Sequence, residues 1–154
     1  MALYLVRHGK ALAEEVDPNR PLSEEGRRDV SRMATFVQPL ELPVSTIWHS
    51  GKLRAKETAE ILSSALPGQA APVLHDGLMP NAAVAPIREE IERAKESLMI
   101  VGHLPFLDKL VSELVVDDES AGVAVFDDGA IICLNRDEGE PWRILWSMTP
   151  ELLS

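Results

Sequence analysis

The sequence predicts an α/β fold, a three-layer α/β/α sandwich built on a mainly parallel sheet. Short apolar runs typical of strands alternate with segments of helical periodicity up to about residue 115. The run at residues 97–101 is apolar at nearly every position, as in a strand buried on both faces of a sheet. Beyond residue 119 the pattern changes to strands joined by turns, which predicts antiparallel strands at the C-terminal edge.

The first third of the chain predicts a strand, a loop and a capped helix. Residues 2–7 form an apolar run that ends before Gly9, and residues 10–21 form a loop that contains two prolines. Ser23 is a residue type that caps helices, and two glutamates follow it in the first turn, where they favour the helix dipole. Apolar residues then recur at helical spacing, so the helix extends to about Gln38.

The middle of the chain alternates strand and helix patterns. Each apolar run is followed by glycine, proline or serine, and each periodic segment ends at similar residues. The predicted strands are 44–49, 71–75 and 97–101, and the predicted helices are 53–66, 83–96 and a segment that begins at Pro105. This order of elements favours a parallel sheet with helices on both faces.

The last third of the chain predicts a hairpin followed by one more strand. Residues 122–126 and 130–135 resemble two strands joined by Asp127-Asp128-Gly129, a sequence typical of hairpin turns. Residues 142–148 predict the last strand. Because the sequence contains no repeat and no linker long enough to divide it, we expect one domain spanning residues 1–154.

Composition excludes several classes of protein. Among 154 residues, 45% are apolar and the formal net charge is −10, so a nucleic-acid partner is not expected. No apolar run approaches the length of a membrane span, and the N-terminus lacks the pattern of a signal peptide, so we expect a cytoplasmic protein without a membrane partner. The single cysteine, Cys133, lies in an apolar run and is expected to be a buried, inert thiol.

Nitrogen-rich side chains follow three of the predicted strands. Arg7 and His8 end the first strand, Arg54 lies in the first turn of the helix after the second, and His103 follows residues 97–101. Ligands of open α/β sheets bind outside the carboxyl ends of the strands. Two arginines, two imidazoles and a helix N-terminus suit a dianionic phosphoryl group. From placement alone, two interpretations are equally reasonable. Either these side chains form one phosphate pocket, or each is an isolated surface or structural residue.

The remaining histidines, His49 and His75, are interpreted as structural or surface residues. None of the four histidines shows the i, i+3 or i, i+4 spacing common in zinc motifs, and one cysteine cannot form a cysteine-based zinc site. We therefore predict no metal and no cofactor.

Three motifs occur together in the order found in a known family. Residues 5–9 are Leu-Val-Arg-His-Gly, residues 50–59 are Ser-Gly-Lys-Leu-Arg-Ala-Lys-Glu-Thr-Ala, and residues 101–105 are Val-Gly-His-Leu-Pro. In this combination they resemble the signatures of the histidine phosphatase, or phosphoglycerate mutase-like, superfamily. Residues 20–26, Arg-Pro-Leu-Ser-Glu-Glu-Gly, are similar to a segment of its branch of SixA-type phosphohistidine phosphatases.

The resemblance implies a mechanism and a set of site residues. His8 would be the nucleophile, forming a phosphohistidine intermediate that water hydrolyses. Arg7, Arg54 and His103 would bind the phosphoryl oxygens and stabilise charge during transfer. His103 would serve best as an imidazolium, a form that a nearby phosphate favours.

The branch implies protein phosphohistidine as the substrate, carried by a phosphorelay or carrier protein. Esterases of the superfamily use a carboxylic acid to protonate the leaving group. The nearest candidate here, Asp76, lies in a segment that does not match the acid motif well and suits a surface loop better. A weak supply of acid would fit a phosphoramidate, because an imidazole leaving group needs less help than an alkoxide.

Two other functions stay open from the sequence. One is a phosphatase of small phosphate esters, and the other is a non-catalytic module that binds phosphoryl groups. Two residues also have open roles. Lys10 is either solvated or adds charge at the rim of the site, and Ser50 is interpreted as the cap of the helix that carries Arg54.

Overall fold

The computed structural model describes residues 1–154 and contains a six-stranded sheet between two layers of helices. The strands are β1 (Ala2–Arg7), β2 (Thr46–His49), β3 (Val73–Leu74), β4 (Leu98–Gly102), β5 (Ile131–Asn135) and β6 (Arg143–Met148). The helices are α1 (Glu24–Val37), α2 (Leu53–Ser63), α3 (Ala85–Arg93) and α4 (Phe106–Val116). Short 3-10 turns cover Gln38–Leu40 and Pro150–Leu153. The predicted fold class is confirmed.

The sheet has the strand order β3-β2-β4-β1-β5-β6. The pairs β2–β3, β2–β4 and β1–β4 are parallel, whereas β1–β5 and β5–β6 are antiparallel. The mainly parallel sheet with antiparallel C-terminal strands therefore matches the prediction. This order places β1 at the junction, with a parallel neighbour on one side and an antiparallel neighbour on the other.

The core has two halves, one on each face of the sheet. Leu3 and Leu5 of β1 belong to the half that also contains α3 and α4. Tyr4 and Val6 belong to the half that contains α1 and α2. A fully buried leucine such as Leu5 contributes about 1.5–3 kcal/mol relative to an exposed one. Burial on both faces explains why β1 and β4 are continuous apolar runs rather than alternating ones.

Helix α1 begins where the sequence predicts. The Ser23 hydroxyl accepts the Gly26 N–H at 3.0 Å, which satisfies one of the free donors of the first turn. The Ser23 N–H donates to the Lys10 carbonyl oxygen at 2.9 Å, so the loop after β1 packs directly on this helix end. A Cβ atom at Gly26 would lie 2.0 Å from that same Lys10 oxygen. Gly26 is therefore required by the close approach of two backbones.

The predicted strand at residues 122–126 is wrong, and so is the hairpin that would join it to β5. These residues form no ladder. Strand β5 already pairs with β1 on one edge and with β6 on the other, so neither edge is free. The segment instead ends near Arg7, whose Nη1 donates to the Phe126 carbonyl oxygen at 2.8 Å, and the Gly129 N–H that follows lies 3.1 Å from the carbonyl oxygens of both Arg7 and His8. The observed hairpin is β5–β6.

Helix α2 ends three residues earlier than predicted. Ala65 and Leu66 remain buried after the helix has ended, so the apolar pattern continues beyond it. The Ser63 hydroxyl donates to the Ala70 carbonyl oxygen at 2.6 Å across the turn that follows. Cys133 on β5 is buried as predicted, and burial raises the pKa of its thiol to about 11. No helix is both long enough and apolar enough to cross a membrane.

Replacing Gly26 by alanine should destabilise the protein. The added methyl group would meet the Lys10 carbonyl, and backbone cannot move aside as a flexible side chain can. We expect a loss of about 1–3 kcal/mol in the free energy of unfolding, measured by urea denaturation. The control is S31A, an exposed position of the same helix, which should stay within about 0.5 kcal/mol of wild type. Equal midpoints for G26A and S31A would contradict the close approach.

Candidate active site

The parallel pairing of β1 with β4 brings two histidines together. Arg7 and Gly102 are partners in the register, so the residues that follow them leave the sheet side by side. The His8 N–H donates to the Gly102 carbonyl oxygen at 3.1 Å. The rings of His8 and His103 consequently lie with centroids 5.0 Å apart and planes inclined by 52°.

The imidazole of His8 is held in one tautomer. Its Nδ1 lies 2.7 Å from the Gly9 carbonyl oxygen, which can only accept, so Nδ1 carries the hydrogen and Nε2 carries a free electron pair. Burial, opposed by the Gly9 carbonyl and assisted by Arg54 and Arg7, lowers the pKa of His8 to about 4. The ring is therefore neutral at pH 7 and has a nucleophilic nitrogen.

A threonine of α2 fixes the backbone next to His8. The Gly9 N–H donates to Thr58 Oγ1 at 3.1 Å, and that hydroxyl donates to the Arg54 carbonyl oxygen at 2.8 Å. Glycine is needed here because a Cβ at Gly9 would lie 2.7 Å from a methyl group of Val30. The loop after β1 and the first turn of α2 are thereby joined through one buried side chain. Thr58 belongs to the motif at residues 50–59, but no local pattern in the sequence predicts this role for it.

His103 is more deeply buried than His8, with only 2% of its surface exposed. Its Nε2 lies 2.6 Å from the hydroxyl of Ser50, and its Nδ1 is buried without a partner. Burial, followed by the proximity of His8 and Arg54, lowers the pKa of His103 to about 3. The protein alone therefore favours a neutral ring, and only a bound anion would favour the imidazolium that the sequence analysis expected.

Ser50 does not cap α2 as the sequence suggested. The N-cap residue is Lys52, and no side chain satisfies the first turn. Instead, the Ser50 hydroxyl accepts the Lys52 N–H at 3.3 Å and contacts His103 across 53 positions of sequence. No local pattern could have indicated that partner.

The two predicted arginines contribute differently. Arg7 donates through Nη1 to the Phe126 carbonyl oxygen at 2.8 Å, and its Nη2 lies 3.2 Å from Asp128. Arg54 forms no hydrogen bond or ion pair through its guanidinium, and its Nε is buried. Burial and the nearby Arg20 lower the pKa of Arg54 from its ordinary value, although the group remains charged. Arg54 is therefore a half-buried cation without a counter-ion.

A cavity of about 500 Å³ contains all four predicted site residues, His8, His103, Arg7 and Arg54. Arg20 and Lys10 also line it, so four cationic side chains and two histidines surround one space in a chain whose net charge is −10. Such a concentration of positive charge at the end of a sheet suits an anion.

Arg20 is a site residue that the sequence analysis missed. Its φ of +47° lies in the left-handed region, which is uncommon for residues other than glycine. Its Nε donates to the Leu12 carbonyl oxygen at 3.0 Å, which aims the side chain across the loop. The signal that could have found it was its place in the motif at residues 20–26.

Two carboxylates also line the cavity, and each is paired with a cation. Asp128 lies against Arg7, and Glu25 accepts a hydrogen bond from Lys10 at 2.7 Å. Lys10 is thus exposed to solvent and also adds positive charge at the rim of the cavity, so both roles that the sequence left open apply to it. Asp76 is exposed and does not line the cavity.

The other two histidines lie outside the cavity. His49 is buried and accepts the Gly51 N–H through Nδ1 at 3.0 Å. His75 stacks on Trp48 with centroids 3.7 Å apart and bonds Glu90 at 2.9 Å. No cluster of three or more histidine, cysteine or acidic side chains could hold a metal ion.

Comparisons with known proteins agree with this geometry. The model of the histidine phosphatase superfamily (branch 1) matches residues 3–80. The phosphohistidine phosphatase SixA of Escherichia coli is 24% identical over 97% of this chain and 94% of its own length. A solved structure of the protein histidine phosphatase SixA complexed with tungstate superposes with a TM-score of 0.87, at 24% identity and full coverage of both chains. A phosphoserine phosphatase from Entamoeba histolytica superposes with a TM-score of 0.76, at 13% identity and 99% coverage of both chains.

The ring of His8 should remain neutral well below the usual titration range of histidine. With a pKa of about 4 rather than 6.5, it should stay unprotonated down to about pH 5 in an NMR titration. The resonance is assigned by its loss in H8A. Inorganic phosphate should raise the midpoint, because an anion favours the imidazolium. A midpoint near 6.5 without phosphate would contradict the effect of burial.

Removing Arg54 or Arg20 should weaken the binding of inorganic phosphate. Each loss removes a cation that lines the cavity, so R54A and R20A should raise the dissociation constant roughly tenfold to a hundredfold by calorimetry. R28A is the matched control, since Arg28 is an exposed arginine outside the cavity. Equal affinities of R54A and R28A for phosphate would show that Arg54 is not part of the anion site.

Proposed function

The chain belongs to the histidine phosphatase superfamily, and from this premise we propose that it hydrolyses protein phosphohistidine through a covalent intermediate on His8. Membership makes the protein a phosphatase that uses a histidine nucleophile. The proposal adds the identity of that nucleophile, the roles of the residues around it and the class of substrate.

The assignment of His8 as the nucleophile rests on its tautomer and its charge. Its Nδ1–H is taken up by the Gly9 carbonyl, which leaves the Nε2 electron pair for attack on phosphorus. The depressed pKa keeps this nitrogen unprotonated at neutral pH. His103 has no such carbonyl partner at Nδ1, so it suits binding of the phosphoryl oxygens.

In the first step, His8 Nε2 bonds to phosphorus while the bond from phosphorus to the substrate's imidazole breaks. A substrate imidazole that is protonated on its other nitrogen leaves as a neutral ring, with the bonding electron pair on the departing nitrogen. Arg7, Arg54 and His103 bind the phosphoryl oxygens and stabilise their charge. No proton has to be delivered to the leaving atom.

In the second step, water attacks the phosphoryl group on His8. The bond between phosphorus and Nε2 breaks, its electron pair returns to the ring, and inorganic phosphate carries away the oxygen of the water. The proton released by the water passes to solvent or to the phosphate product. The same cations serve both steps because the transferring group stays in the same cavity.

The observation that carries the choice of substrate is the pairing of both carboxylates in the cavity. Asp128 is paired with Arg7, and hydrogen bonding to Lys10 lowers the pKa of Glu25. An alkoxide leaving group requires a proton donor, and the hydrogen bond from Lys10 makes Glu25 a poor one. A phosphorylated imidazole does not need such a donor. The relative named SixA, described as a phosphohistidine phosphatase, supports the same choice.

The expected partner is a phosphorelay or carrier protein that presents a phosphorylated histidine at its surface. The cavity is open, and its rim includes Lys10 and Glu25, both exposed. The site is therefore not an enclosed pocket that admits only a small molecule. An imidazole on the surface of a folded protein can reach His8.

The second candidate is a phosphatase of small phosphate esters. The observation in its favour is that two carboxylates do line the cavity, so either could donate a proton if its ion pair opened. The similar fold of a phosphoserine phosphatase agrees with this alternative.

Rates on two matched substrates decide between the candidates. General acid catalysis typically contributes about 10²–10⁴-fold, so an ester that lacks it should react at least about 100-fold less efficiently. We expect kcat/KM to be higher by that margin for a phosphohistidine peptide than for the same peptide carrying phosphoserine. A preference for phosphoserine would contradict protein phosphohistidine as the substrate class, but it would not contradict a histidine nucleophile.

Trapping the intermediate tests His8 itself. Rapid quenching during turnover should give wild-type protein with one added phosphoryl group that is lost in acid, as a phosphoramidate requires. H8A should gain none and should lose turnover, while its circular dichroism stays that of wild type. Turnover by H8A at the wild-type rate would overturn the mechanism.

A further inference from the structure

The hydroxyl of Ser50 is a buried polar group to which the steps above give no role. Ser50 lies between β2 and α2 and is 4% exposed, and its partner His103 is 2% exposed. The Oγ–Nε2 distance of 2.6 Å is short enough for a strong hydrogen bond. A bond this well shielded from water has a definite direction, which can be derived by counting donors and acceptors.

Either direction of the bond leaves one hydrogen without a protein partner, and the two directions differ in where that hydrogen lies. The Lys52 N–H donates to Ser50 Oγ at 3.3 Å, so one electron pair of the hydroxyl is occupied. The only other partner of the hydroxyl is His103 Nε2. If Nε2 donated, the hydroxyl hydrogen would be buried without an acceptor, at a cost of about 1–3 kcal/mol. If the hydroxyl donates to Nε2, the hydrogen without a protein partner is instead the one on Nδ1, in a ring that lines the anion cavity, where a bound phosphoryl oxygen can accept it.

The direction of this bond fixes the tautomer of His103. A neutral imidazole that accepts at Nε2 carries its hydrogen on Nδ1. Nδ1 is buried without a protein partner, in a ring that lines the anion cavity. In this tautomer a donor is available to a phosphoryl oxygen. In the opposite tautomer, Nδ1 would direct an electron pair at the same oxygen.

We propose that Ser50 is a positioning residue that holds His103 as the neutral Nδ1–H tautomer, so that His103 donates to the phosphoryl group without being an imidazolium. The two rings would then be held in complementary states. His8 presents an electron pair because the Gly9 carbonyl takes its Nδ1 hydrogen, and His103 presents a hydrogen because Ser50 occupies its Nε2.

The charges around His103 agree with a neutral ring. Arg54, Lys52 and Arg20 all act against a further positive charge at this position, and burial acts in the same direction. A neutral donor avoids adding one more cation to the group that surrounds the cavity. The inference deepens the proposed function, on which it rests for the role of His103 in binding the phosphoryl group.

NMR of the full chain labelled with ¹⁵N-histidine reads the tautomer directly. At neutral pH, the wild-type protein should show a protonated Nδ1 and an unprotonated Nε2 for His103, assigned by comparison with H103N. The pattern should persist with inorganic phosphate bound. An Nε2–H tautomer, or a doubly protonated ring in the protein without phosphate, would overturn the proposal.

Removal of the hydroxyl should change both the spectrum and the affinity. In S50A, the His103 signals should move toward the Nε2–H form, and the affinity for inorganic phosphate should fall. The expected loss is about tenfold to a hundredfold, the range found for groups that fix the tautomer of metal-binding histidines. S50T keeps a hydroxyl and should retain the wild-type tautomer.

The matched control is S63A, which removes another buried serine hydroxyl with a 2.6 Å hydrogen bond, outside the cavity. It should lose stability without changing the His103 signals or the affinity for phosphate. A wild-type spectrum in S50A would overturn the proposal. Neither readout uses an organic phosphate, so both stand even if the protein prefers phosphoserine to phosphohistidine, a result that would defeat only the proposed substrate.

Discussion

The register of one pair of parallel strands determines the geometry on which the chemistry depends. Strands β1 and β4 are aligned so that Arg7 is opposite Gly102, and one backbone hydrogen bond continues the ladder to His8. A shift by two residues would keep the same faces buried but would separate the two imidazoles by more than 6 Å along the strands. The apolar cores on both faces of the sheet oppose such a shift, so packing energy far from the cavity keeps His8 beside His103.

The site also shows how an acidic protein assembles an anion site. Cations are placed where burial reduces their hydration, and the protein leaves at least one of them, Arg54, without a counter-ion. Burial first, and then the nearby cations, lower the pKa of both imidazoles, so the same environment keeps the two rings neutral. The arginines stay charged in this environment because the ordinary pKa of a guanidinium lies far above neutral pH. A dianion entering the cavity is attracted by this uncompensated positive charge.

The sequence predicts what depends on local pattern and misses what depends on distant partners. His8 and His103 were predictable because each ends a buried apolar run of a parallel sheet. Ser50 was misinterpreted because its local position suits a cap, whereas its partner lies 53 residues away. Arg20 was missed because its orientation depends on a left-handed backbone conformation within a loop. Residues 122–126 have a strand-like pattern, but pairing requires a free sheet edge, which no local pattern reports.

The position of β1 in the sheet has a consequence during synthesis on the ribosome. Of the six strands, β1 is made first, and its two neighbours follow much later: β4 begins about 95 residues further along the chain and β5 about 130. At about 5–20 residues per second, this first strand waits for at least about five seconds before either neighbour exists. The Gly129 N–H that contacts the carbonyls of Arg7 and His8 emerges later still than β4. Strand β1 therefore stays an unpaired apolar strand until β4 has been made, and His8 can lie beside His103 only after that delay.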